Sequence, residues 1–138
     1  MDTHVIDYAT YLAAVRGRGG YDDRQCAEDA VHTVLGVLGR RLGRSMAREL
    51  ATQLPSVAGE ALIAGSAERT PTWDVSTFVT RVAQAAGTLE EEAALDAAAV
   101  LGAIADTVSD TQLKGILSRI PSDYARFFEP PERVEPGQ

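Results

Sequence analysis

LEEEAALDAAAVLGAIADTV, residues Leu89 to Val108, decides the fold. Its charges stand at the ends, and its middle from Ala93 to Ala105 is apolar nearly all round apart from Asp96, the composition of a helix with neighbours on every side. Such a helix requires a bundle built about it.

The flanks supply that bundle. Thr88 with Glu91 makes a capping box for the central helix, and Ser109 with Gln112 makes another for the helix after it. Upstream, Asp74 caps a helix carrying Phe78 and Val82; downstream, Ser122 opens a short helix carrying Tyr124, Phe127 and Phe128. Residues 73–128 therefore read as helix, long helix, helix, short helix.

The first half reads the same way. Tyr8, Tyr11, Leu12 and Val15 form one apolar stripe of a helix beginning near Ile6 or Asp7 and ended by the GRGG run at Gly17 to Gly20. Asp22 caps the next helix, with Gln25 three residues on, and Ala27, Ala30, Val31, Val34, Leu35, Leu38 and Leu42 carry its stripe to Gly43, a left-handed terminator. Ser45 caps a third helix that Pro55 stops. Ser56 to Ala64 reads as a fourth, short helix weakened by Gly59.

Core and punctuation recur together. Tyr11, Val15 and Gly20 correspond to Phe78, Val82 and Gly87; after one deletion, Ala27, Val34, Leu38, Leu50 and Leu54 correspond to Ala93, Val100, Ile104, Ile116 and Ile120, and Pro55-Ser56 returns as Pro121-Ser122. The expected fold is all-α: a pseudo-symmetric bundle of about eight helices from two tandem four-helix repeats, 6–64 and 73–128, joined by a linker at 65–72. Half the chain alone would bury little core, so residues 1–128 make one domain. The tail 129–138, with three prolines and almost no apolar content, reads as disordered.

The punctuation also carries a resemblance. Ala51-Thr-Gln-Leu-Pro55 and Leu117-Ser-Arg-Ile-Pro-Ser-Asp-Tyr-Ala-Arg-Phe-Phe128, with Phe78-Val-Thr-Arg-Val82 and Ala98-Ala-Val-Leu101, resemble the bacterial helical family known as domain of unknown function 2267, over about Tyr8 to Phe128. The resemblance implies an all-helical protein without an assigned catalytic residue. Ala58, Gly59 and Glu60 depart from its pattern, which puts the fourth helix of the first half in question.

Charge narrows the function. The net charge of −7 argues against affinity for nucleic acid or an anionic membrane surface. Residues 1–70 are nearly balanced, so most of the acidity lies in the second half. A single cysteine, Cys26, forms no internal disulfide, and no apolar run reaches the ~18 residues of a membrane span, so the expected address is the cytoplasm.

Candidate chemistry is sparse. Cys26 and His32 lie well off one helical face and assemble no metal site, and with Asp22, Asp23, Glu28 and Asp29 around it Cys26 reads as a small, partly buried hydrophobe. Glu90 to Glu92 suit the first turn of a helix, where the macrodipole favours negative charge. GRGG lacks the strand that a phosphate loop needs. Trp73, Tyr124, Phe127 and Phe128 could make an aromatic binding patch, but at helical spacing beside a proline turn they read as core, as do Tyr8 and Tyr11. No catalytic residue, metal or cofactor is assigned.

Arg40, Arg41, Arg44 and Arg48 are the concentrated positive charge, and they are the candidate binding residues for an acidic protein segment or an anion. The leading expectation is a non-enzymatic interaction or regulatory domain with a protein partner or self-association, the acidic second half being one possible complement. The alternatives are a carrier of a small apolar ligand, held in a pocket lined by Ala97, Leu101, Ile104 and residues of the helix at about 23–42, and an enzyme of unrecognised type.

Overall fold

Where apolar residues repeat at helical spacing and an Asp or Ser precedes them, the chain turns into a helix. The computed structural model describes residues 7–68, 72–118 and 120–128, and these form eight helices and no strand. They are α1 (Tyr8–Gly19), α2 (Arg24–Leu42), α3 (Arg44–Ala51), α4 (Ser56–Gly65), α5 (Val75–Ala86), α6 (Glu90–Thr107), α7 (Asp110–Leu117) and a closing 3₁₀ helix (Ser122–Phe128). The expected tail at 129–138 and part of the expected linker lie outside the described residues. No described helix is long and apolar enough to cross a membrane.

α6 lies at the centre, as its composition requires. Ala93, Ala97, Val100, Leu101, Ala103 and Ile104 are buried in a single core with Leu35 and Leu38 of α2 and Phe78 of α5. Ala97, Leu101 and Ile104 are themselves fully buried in that core. α1 packs chiefly on α6, and α5 touches both α6 and α2, so helices of the first half interleave with those of the second. The enclosure of α6 is incomplete: Leu89 before it and Leu95 within it are each 68% exposed.

Caps explain the boundaries. Asp7 accepts from Thr10 N and Asp74 from Thr77 N, both at 2.9 Å, and α1 and α5 close on the left-handed Gly20 and Gly87. Ser109 and Gln112 form the expected capping box of α7. Other boundaries differ from expectation for identifiable reasons. The cap of α2 is Asp23, which accepts from Cys26 N, while the Asp22 carbonyl is held by Arg16 and Gln25 donates to Asp29. Thr88 makes no capping box, because its backbone N–H is used to close α5 on Ala83 O; Leu89 occupies the cap of α6 and offers it no side-chain bond. Gly43 has positive φ but extended ψ (89°, 162°), so it joins α2 directly to α3 and leaves Ser45 inside the first turn.

α4 is a full helix of 10 residues, and Gly59 is a reason for it rather than a weakness. A Cβ at Gly59 would press on Ala51 of α3, one at Gly39 would strike the Leu62 carbonyl, and one at Gly65 would strike the Gly36 carbonyl. Small residues thus let α4 approach α2 and α3 backbone to backbone. The 3₁₀ helix uses the opposite device. Tyr124 and Phe127 fill their space with rings 5.1 and 6.2 Å from that of Phe78, contacts each worth about 0.5–1.5 kcal/mol beyond area burial.

Candidate functional site

Trp73 is placed by bonds to its backbone. Its carbonyl accepts from Arg41 Nε at 2.8 Å and from Tyr124 Oη at 3.0 Å, which ties the approach to α5 to the end of α2 and to the 3₁₀ helix. Burial pushes the Tyr124 phenol up to about 12, although the neighbouring Arg41 guanidinium, 5.7 Å from the ring centre, acts the other way. Tyr124 therefore stays a neutral donor. Its ring is core, as expected, and so are Phe127 and Phe128; Trp73 is only half-buried.

The indole faces an open groove of about 590 Å³ between α2 and α5. Gly36, Val37 and Arg40 come from α2, Gly65 from the end of α4, and Arg81, Gln84 and Ala85 from α5. A Cβ at Gly36 would meet nothing within 4 Å, so the absence of a side chain there widens the floor. The Arg81 guanidinium lies 5.2 Å from the Trp73 ring centre and donates to Gln84 Oε1 at 3.4 Å. Among the described residues no carboxylate lies within ion-pair distance of Arg40 or Arg81. Two exposed guanidinium groups beside an aromatic face can hold a carboxylate and cover an adjacent apolar side chain.

The four arginines singled out by the sequence do not form one site. Arg40 lines this groove. Arg41 is turned inward, where it secures Trp73 and Tyr124. Arg44 and Arg48 line a different groove with Ser45 and Glu68, and Arg44 Nη1 is 3.9 Å from Glu68 Oε2. The break at Gly43 turns α3 away from the axis of α2 and separates the pairs. Arg81 and Gln84 were not read as site residues. Their only sequence signal was that Arg81 lies within Phe78-Val-Thr-Arg-Val82.

A second groove, of about 440 Å³, gathers Cys26, Asp29 and His32 of α2 with Tyr21 and Asp96. Cys26 and His32 thus share a groove despite their spacing, and Cys26 is exposed rather than partly buried, because it sits in the solvent-facing first turn of α2. Its thiol is pushed up, first by its hydrogen bond to Asp23 and then by that carboxylate's charge, which disfavours the nucleophilic thiolate. Tyr21 donates to Asp96 Oδ1 at 2.6 Å; burial, then that bond, raises the phenol well above its ordinary value. Among the described residues no three His, Cys, Asp or Glu side chains come together in a way that could hold a metal.

Comparison with known proteins adds a family but no activity. The model of the family described as "Uncharacterized conserved protein (DUF2267)" matches residues 8–127. Among curated proteins no relative matches the chain.

Proposed function

We propose that this chain, which belongs to the DUF2267 family, is a non-enzymatic interaction module that docks an acidic segment of a protein partner. The observation that carries the reading is the pairing of Arg40 and Arg81 across the Trp73 groove, both without a carboxylate of their own among the described residues. In a chain of net charge −7, positive charge concentrated beside an aromatic face favours a partner with carboxylates next to an apolar anchor. The same caps and terminators at Asp7 and Asp74, and at Gly20 and Gly87, support descent of the two halves from one duplicated unit. A lone cysteine that needs no oxidising compartment supports residence in a bacterial cytoplasm.

Trp73 is the one tryptophan of the chain, so its fluorescence reports on the groove alone. Titration with a glutamate-rich peptide containing one leucine should shift that emission with an affinity that falls steeply with salt. Replacing Arg40 and Arg81 together by alanine should weaken binding at least about tenfold. Binding unaffected by the double substitution, or no binding at low salt, would refute the docking site.

A further inference from the structure

The chain itself carries a segment with the chemistry this groove accepts. Leu89 is a large apolar side chain left 68% exposed at the start of α6, and Glu90, Glu91 and Glu92 follow it, all exposed. Glu90 accepts the Thr80 hydroxyl at 2.9 Å. Among the described residues Glu91 and Glu92 have no ion-pair partner, just as Arg40 and Arg81 have none. An apolar anchor beside two carboxylates thus stands at the start of α6, and an indole beside two guanidinium groups lines the groove between α2 and α5.

We propose, resting on the docking reading above, that the occupant of the groove is a second copy of this chain: Leu89 seats against Trp73, and Glu91 and Glu92 meet Arg40 and Arg81. Charge complementarity selects this occupant, since the segment is acidic and the groove is basic in a protein that is acidic as a whole. The two surfaces differ, so each copy offers one of each. Copies join knob to groove: the assembly closes as a pair where two such contacts form at once, closes as a ring where the rotation between copies returns on itself, and otherwise extends as a chain.

The position of Leu89 makes the proposal separable from a folding effect. Leu89 caps α6 without a side-chain bond, and serine is a preferred capping residue, so Leu89→Ser removes the anchor while improving the helix start. Sedimentation velocity on the full chain should show association that weakens as salt rises. L89S should dissociate at least about tenfold more readily while its thermal midpoint stays the same or rises. The variants Arg40→Glu/Arg81→Glu and Glu91→Lys/Glu92→Lys should each be monomeric alone and should associate when mixed.

A wild-type chain that stays monomeric at high concentration and low salt would overturn the proposal, as would an L89S variant that associates like the wild type. Peptide titration separates the two readings. A monomeric chain whose Trp73 still responds to the glutamate-rich peptide keeps the groove and loses the second copy. One that responds to neither loses both.

Discussion

Arg18 grips Asp106 with two hydrogen bonds, Nε to Oδ2 at 2.7 Å and Nη2 to Oδ1 at 3.0 Å, and its guanidinium crosses Gly102 one turn earlier on α6. The Arg18 side chain is only 10% exposed, so this pair joins α1 to α6 at the edge of the core rather than in open solvent. Asp106→Asn should lower stability by about 1 kcal/mol, the upper end for pairs still in contact with water. Urea denaturation measures it. A methyl at position 102 would occupy the guanidinium's place, so in a Gly102→Ala background the same substitution should cost clearly less. Strict additivity would show that Gly102 does not make room for the pair.

The glycines of α2 should respond with opposite signs. Gly39→Ala drives a methyl into the Leu62 carbonyl, where backbone meets backbone, and should destabilise by about 1–3 kcal/mol despite alanine's better helix propensity. Gly36→Ala meets open space and should stabilise by just under about 1 kcal/mol. Thermal or urea unfolding of both variants against the wild type checks the contrast.

Two tyrosines of α1 should also part company. Tyr11 donates to the Val100 carbonyl at 2.9 Å inside the core, so Tyr11→Phe should cost about 1 kcal/mol. The Tyr8 hydroxyl is buried without a partner among the described residues, and Tyr8→Phe should be neutral or stabilising. Burial raises both phenols above their ordinary 10.0, so folding favours the protonated form. Their contribution is complete below pH 10 and is lost as pH rises beyond it. Denaturation midpoints across that alkaline window should fall less steeply for Tyr11→Phe than for the wild type.

Acid should act through the caps. Hydrogen bonds from Thr10, Cys26 and Thr77 hold Asp7, Asp23 and Asp74 below their ordinary 3.8. A lowered value in the folded state contributes stability above that point and loses it as pH falls through the folded value. Helix content by circular dichroism should drop below pH 3.8, and a triple Asp→Asn variant, which keeps cap acceptors that do not titrate, should lose less.

The fold was legible where a single helix carries its own signal. The apolar circumference of α6, the stripe of α2, and the caps at Asp74 and Ser109 are all local patterns, and each corresponds to a described element. Errors arose where two groups compete for one role. Asp22 and Asp23 are equally good caps in sequence, and the structure separates them: Asp23 accepts from Cys26 N, while the Asp22 carbonyl accepts from Arg16. Thr88 reads as a cap until α5 claims its N–H.

The site was less legible than the fold. Arg40 stood out as charge, but nothing local relates it to Trp73 or Arg81; α5 must first pack on α2. Gly59 looked like a defect because its use, a close approach to Ala51, appears only once α3 and α4 are side by side.

The packing of α1 on α6 also fixes an order of events during synthesis. α1 leaves the ribosome before α6, and the surface that buries Tyr11, including the Val100 carbonyl that accepts its hydroxyl hydrogen bond, belongs to that later helix. At about 5–20 residues per second, the nascent chain waits several seconds with that stripe uncovered. Slowed translation between α1 and α6 would lengthen that exposure.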